Sequence, residues 1–336
     1  MAPPLAGQVA LVAGATRGAG RGIARMLGEA GATVWCTGRS TRERGATPGR
    51  PETIEETAEL VTAAGGRGIA VRVDHTVRAE VEALVARIGA ESGRLDVLVN
   101  DIWGGDELSE WGKPFWEQSP EKGFLMYERA VHTHILTAQA AVPLMLPRKA
   151  GLIVEVTDGD FHGYHLNFFY DLAKNATARL GYAMACDLRG TGITALAVTP
   201  GFLRSEAMLQ RFGVTEENWR DGAGRDPHFI ASETPCFVGR AVAALAADPN
   251  VAAKAGGVYG SWTLAREYNF RDIDRRRPDW GEYFTKTVAE ILDRGGPADE
   301  GERFLLLARY YQTHREPAPS AEAARIAKVL NLPPAP

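Results

Sequence analysis

Apolar residues in this chain gather into seven short, continuous runs. They are QVALVAG (8–14), ATVWCTG (32–38), GIAVRVD (68–74), DVLVND (96–101), GLIVEVTD (151–158), GITALAVTP (192–200) and GGVYGSW (256–262). A strand that is apolar at successive positions is covered on both faces, as in parallel sheets, whereas a half-exposed strand alternates. Between the runs lie segments with apolar residues at helical spacing, over 20–30, 52–64, 77–92, 120–146, 168–189 and 234–247. Local signals agree. Ser119-Pro120-Glu121 reads as an N-cap followed by proline at the first helical position, and the helix over 20–30 runs out at Glu29-Ala30-Gly31. Alternation of strand and helix through seven strands predicts an α/β fold built on a doubly wound, seven-stranded parallel sheet.

Two segments exceed what such a sheet needs. Residues 103–119 form an insertion between the fourth strand and the next helix, rich in Trp103, Trp111, Phe115 and Trp116. The other is a tail over 266–336, read as a mostly helical C-terminal extension to a main domain over 1–265. FLLLARYY within it is short and interrupted, a packing helix rather than a membrane anchor. The chain shows no internal repeat.

Composition narrows the function classes. The 336 residues carry a net charge of −4, which gives no basic surface for nucleic acid or anionic membranes. Cys36, Cys186 and Cys236 are odd in number and far apart, so they predict neither a disulfide framework nor a CxxC metal site. The opening MAPPLAGQVALVAGATRG lacks a basic, apolar signal pattern, and no run reaches the length of a membrane helix. The expectation is a soluble, cytoplasmic protein.

The first strand leads into AGATRGAGRGIARML, with Gly14, Thr16, Arg17, Gly18 and Gly20. Glycine there lets the backbone turn tightly and approach a pyrophosphate at the N-terminus of the following helix. A glycine triplet alone is weak; placed between strand and helix at the head of an α/β chain, it predicts dinucleotide binding. The second strand ends in CTGRST, where an acid would hold a free ribose 2′-hydroxyl; Arg39 and Ser40 stand there instead. With Arg17 they suit a 2′-phosphate, so NADP(H) is the expected cofactor, although such arginines can also simply solvate a surface. Asp74 suits the adenine amino group and His75 the adenine pocket.

These motifs, with Asn100 closing the fourth strand, Tyr170-x-x-x-Lys174 and Pro200-Gly201, resemble the short-chain dehydrogenase/reductase superfamily over roughly residues 6–265. VNDIWGG, KPFWE and LAREYNFRDID mark a branch of it. The resemblance implies a Rossmann fold. It implies an oxidoreductase in which Tyr170 exchanges the proton and Lys174 tunes it and bonds the nicotinamide ribose. Asn100, Pro200, Gly201 and Ser205 would then serve the cofactor, and a substrate lid would run over 202–233. It also implies a homodimer or homotetramer. Residues four apart share a helix face, so an ammonium at Lys174 is expected to favour the Tyr170 phenolate.

Two expected polar positions differ. Asp158 stands where the family has serine, and Ala130 falls near the helix asparagine, which His132 or His134 would have to replace. Asp158 admits three readings: an ionised carboxylate that keeps Tyr170 protonated or binds a cationic substrate, a protonated acid that donates to a carbonyl, or a cap of its own turn. Glu155 sits inside an apolar run and needs a partner. His162 and His165 lack the ligand spacing of a metal site, so no metal is expected. Trp103, Trp116, His165 and Phe202 are the expected substrate contacts. Trp111, Phe115, Phe161, Phe168 and Phe169 either line the same bulky pocket or pack the insertion. The reading is an NADP(H)-dependent reductase of a bulky carbonyl or imine. A cofactor-binding sensor without turnover is the rival.

Overall fold

Each strand sends alternate side chains into two different cores, which is why the runs are apolar throughout. Ala10, Val12, Val34, Cys36, Val97, Val99, Leu152 and Val154 enter one core, while Val9, Leu11, Trp35, Leu98 and Ile153 enter the other. The computed structural model describes residues 2–45, 47, 49–160, 164–313 and 321–331. Its sheet holds β1 (Val9–Ala13), β2 (Thr33–Gly38), β3 (Arg67–Arg72), β4 (Val97–Asn100), β5 (Gly151–Val156), β6 (Ile193–Thr199) and β7 (Val258–Gly260). All pairings are parallel, in the order β3-β2-β1-β4-β5-β6-β7. The order reverses between β1 and β4, and a crevice opens there at the strands' carboxyl ends.

The first core is closed by α1 (Gly18–Glu29), α2 (Ile54–Ala63) and, across the chain, α8 (Pro235–Ala247). On the other face lie α3 (Arg78–Ser92), α5 (Thr133–Met145) and the end of α6 (Phe168–Asp187). The predicted helix over 120–146 is interrupted: α4 (Pro120–Tyr127) passes through a π-helical turn over Glu128–His132 before α5. The break falls at the expected asparagine position. Ala130 is there, 2% exposed, packed among Met126, Val131 and Ala173.

After β6 the segment over 202–233 contains α7 (Glu206–Phe212) and two 3-10 turns; α9 (Ser261–Glu267) follows β7. The extension folds as α10 (Trp280–Asp293), α11 (Glu300–Thr313) and α12 (Ala321–Leu330). They share a core of their own, including Phe284, Val288, Ile291, Leu306 and Ile326. The FLLLARYY stretch lies in α11, and no helix among the described residues is long and apolar enough to cross a membrane.

Candidate functional site

The crevice between β1 and β4 widens into a cleft of about 1640 Å³. Single-ligand pockets commonly span about 300–1,000 Å³, so this one has room for a dinucleotide and a second molecule. Gly14, at φ 94°, lies so close under the Asp101 carbonyl that a β-carbon there would strike it. The loop therefore presents bare backbone to the cleft. Gly20 sits outside the lining; its N–H donates to Asp101 Oδ2 at 2.5 Å, so it holds the loop rather than meeting a ligand. Burial pushes the Asp101 carboxyl up to about 7, against the pull of Lys174 and this hydrogen bond.

At the N-terminus of α1 the Gly18 N–H donates to Glu206 Oε2 at 2.8 Å. That position takes an anionic oxygen, as a phosphate site requires. Beside it, Arg17 donates to Thr47 Oγ1 at 3.2 Å and lies 3.3 Å from a Glu52 oxygen. The Glu52 contact is an ion pair without hydrogen-bond geometry, so the buried atoms Nε and Nη2 of Arg17 have no hydrogen-bond partner among the described residues. Arg39, Ser40, Asp74 and Arg50 line the same end. Arg39 is loosely paired with Asp74 at 3.9 Å, which leaves its guanidinium available to a ligand. Burial raises the Asp74 carboxyl, but two Thr76 hydrogen bonds and Arg39 outweigh it and hold it below the usual range. His75 is 3% exposed and wedged between the Thr37 and Thr137 hydroxyls, 2.9 Å from each; burial drives its pKa down to about 3. It stays neutral and shapes the wall. These residues fit a dinucleotide: bare backbone, a helix N-terminus already carrying an anion, and Arg17 guanidinium nitrogens that make no hydrogen bond among the described residues.

The other end is built on the first turns of α6. Asn167 caps this helix by accepting the Tyr170 N–H at 3.1 Å, which fixes Tyr170 in the first turn and Lys174 one turn on. Thr157 ties β5 to the helix through the Lys174 carbonyl at 2.7 Å. Tyr170 donates its hydroxyl to Asp158 Oδ2 at 2.6 Å. The Asp158 carboxyl thus faces the tyrosine hydroxyl. Burial, the charge and hydrogen bond of Asp158, and the charge of Asp106 together push Tyr170 well above its ordinary pKa. The expected lowering by Lys174 is thus reversed.

Lys174 lies 3.9 Å over the Trp103 ring, against 5.5 Å to the Tyr170 ring. Burial lowers its pKa, with Asp158, Asp101 and Asp106 holding the proton on. Trp103 is fixed by donating Nε1–H to Asp106 Oδ1 at 2.5 Å. His165 contacts Asp171 Oδ1 through Nδ1 at 2.8 Å and the Asp158 carbonyl through Nε2 at 3.0 Å. Both partners are acceptors, an arrangement that favours the doubly protonated ring. Burial opposes that charge, but Asp171 and Asp158 overcome it and raise the pKa.

Several expected residues stand elsewhere. Asn100 is fully buried outside the cleft and donates to Glu155 Oε1 at 2.8 Å. Glu155 finds its second partner in His134 Nδ1 at 2.6 Å, so His134 serves this buried junction and not Lys174. His132 is exposed. Trp116 is 72% exposed and Phe115 57%, both outside the cleft; Phe115 packs on Trp116 and on Phe168 at the start of α6. Trp103 and Trp111 do line the cleft, with Trp111 5.2 Å from the Tyr170 ring. Phe161 and His162 lie outside the described residues. Among the described residues no three metal-ligating side chains converge. Pro200, Gly201, Ser205 and Phe202 line the cleft.

The sequence reading missed the far wall. Trp280 and Phe284 of α10 and Phe304, Leu305 and Ala308 of α11 face the same cleft. The amphipathic tail pattern signalled a packing helix, yet nothing in it says which surface the helix packs on.

The family model for short chain dehydrogenase matches residues 8–213. Dehydrogenase/reductase SDR family member 1 of Mus musculus is 36% identical over 281 residues, covering 82% of this chain and 86% of that protein. A solved short chain dehydrogenase from Mycobacterium thermoresistibile aligns with a TM-score of 0.68 at 21% identity, over 82% of this chain and 92% of its own. A metagenomic short-chain oxidoreductase solved in complex with NADP gives a TM-score of 0.57 at 23% identity, over 76% and 96%.

Proposed function

Because this chain belongs to the short-chain dehydrogenase family, we propose that it is an NADP(H)-dependent reductase of a bulky carbonyl compound, with Tyr170 as proton donor. The observation that carries the reading is the Tyr170–Asp158 hydrogen bond beside Lys174, at the opposite end of one cleft from the glycine loop. A bound nicotinamide supplies the hydride. Tyr170, held neutral by Asp158 and by burial, keeps a proton to give across the neutral range. When that proton leaves, Lys174 offsets the new negative charge and Asp158 opposes it, so the hydroxyl readily takes a proton back. Arg17 and Arg39, with Ser40, would hold the 2′-phosphate, and Gly14, Gly18 and the α1 N-terminus the pyrophosphate. Pro200 and Gly201 would meet the nicotinamide end. The aromatic faces of Trp103 and Trp111, with the wall from α10 and α11, favour a large substrate over a small one. The same reading carries a cytoplasmic homodimer or homotetramer, which size-exclusion chromatography with light scattering tests.

A second reading rests on charge. Asp158 and Asp106 both act on the one Lys174 ammonium, and that ammonium already lies on an aromatic face. This surplus of carboxylate with exposed aromatic rings suits a protonated imine in place of a ketone.

Both readings are tested by following nicotinamide absorbance with NADPH, NADH and a panel of matched bulky ketones and cyclic imines. Turnover with NADPH in preference to NADH, lost in Tyr170→Phe, supports the first; preference for the imines moves the substrate to the second. Tight NADPH binding without turnover of any compound would leave a sensor.

A further inference from the structure

The lid leaves the sheet after β6 and is closed at one residue. Glu233 donates its N–H to the Phe202 carbonyl at 2.9 Å and accepts the Arg204 N–H at 2.8 Å, closing the excursion over 202–233 on itself. Its side chain then reaches back to the turn that begins the lid. Glu233 Oε2 accepts the Gly201 N–H at 2.9 Å and the Ser261 hydroxyl at 2.5 Å. Ser261 opens α9 straight after β7, so one carboxyl oxygen joins the end of the sheet to the turn after β6.

The turn is held from the other side as well. A β-carbon on Gly201 would strike Trp280 of α10 and approach Glu233, so the turn is clamped between the extension and this carboxyl group. Pro200 and Gly201 line the cleft; Glu233, 1% exposed, does not. Anything that shifts Glu233 therefore shifts Gly201, while Glu233 itself touches no ligand. The next residue is anchored independently: Thr234 gives its N–H and hydroxyl to Asp272 at 2.8 and 2.5 Å. That second anchor leaves the Glu233 side chain to the turn and to Ser261.

We propose that Glu233 is a positioning residue for the Pro200–Gly201 turn, setting cofactor affinity and hydride geometry through the Gly201 N–H; this rests on the nicotinamide reading above. The group works as a neutral acid. Among the described residues it has no basic partner and Oε1 is buried without a hydrogen-bond partner, and burial pushes the carboxyl up to about 8. Glutamine reproduces that state, since its carbonyl oxygen accepts from both donors.

The test compares Glu233→Gln with Glu233→Met, which fills similar volume without an acceptor of comparable strength, in the full chain. NADPH affinity by titration, kcat and KM are read together with Tm. The expected result is a Gln variant within about threefold of the parent, and a folded Met variant whose NADPH affinity and kcat both fall by about tenfold or more, the loss of one buried hydrogen-bond acceptor. A Met variant that binds and turns over NADPH like the parent overturns the proposal, as does a Gln variant that falls as far as Met. If Met does not fold, Ser261→Ala, which leaves the carboxyl in place with one donor fewer, must keep NADPH affinity while Gln keeps it too; loss in Gln again overturns it. A parent protein that fails to bind NADPH sinks the cofactor reading instead, and this inference with it.

Discussion

Replacing Asp158 by serine separates the acid work of Tyr170 from its base work. Reduction needs the phenol as a donor; oxidation of the product alcohol needs the phenolate. Ionising Tyr170 creates a negative oxygen 2.6 Å from the Asp158 carboxyl. Two like charges even 4 Å apart repel by about 4 kcal/mol at an effective dielectric near 20. Lys174 and His165 share the neighbourhood and screen this, so we take about half, about 2 kcal/mol, as what Asp158 adds against the phenolate. That corresponds to roughly 30-fold in a step that requires the phenolate. Serine is neutral and can still donate to a carbonyl oxygen. The assay runs both directions with purified parent and Asp158→Ser, between about pH 6 and 10, on the best ketone of the panel and its alcohol. At about pH 8 oxidation should rise roughly 10- to 30-fold, with its onset moved to lower pH, while reduction near neutrality changes by less than about threefold. An oxidation profile that does not move, in a variant that still folds and reduces, would refute the electrostatic role of Asp158.

The glycine loop and the buried carboxyl beneath it give two further expectations. Glu206→Gln removes the anion from the Gly18 N–H, so NADPH affinity by calorimetric titration should rise about three- to tenfold, about 1 kcal/mol; a fall would mean that Glu206 supports the bound state instead. Asp101 has its folded pKa raised to about 7, so the native state holds a proton that the unfolded chain, titrating near about 4, has released. Its contribution to stability is therefore complete below about pH 4 and is lost as pH rises through about 7. Asp101→Asn keeps an acceptor for Gly20 without titrating, so its Tm should gain on the parent between pH 5 and 8 by a few degrees; parallel Tm curves would contradict the shift.

Sequence alone determined the sheet, its parallel direction, the glycine loop and the Tyr170–Lys174 pair, because each is written in neighbouring residues: continuous apolar runs, a strand-to-helix glycine turn, and a four-residue helical spacing. It also located Asp158 beside the tyrosine's expected place. The direction of Tyr170's shift was not legible. It depends on which group, 12 residues or 4 residues away, reaches the hydroxyl first, and the fold gives that place to Asp158 and sends Lys174 to the face of Trp103. Asn100 reads as a cofactor contact and His134 as one of two stand-ins for the missing helix asparagine, yet both join Glu155 in a buried junction, since a carboxylate inside a strand must find partners wherever the neighbouring elements bring them. Glu206, Glu233 and the wall from α10 and α11 were invisible for the same reason. Glu206 is 188 residues from Gly18, and Glu233 is 32 from Gly201. Local pattern decides what a segment becomes; only packing decides which distant segment it meets, and the chemistry of this cleft is set by those meetings.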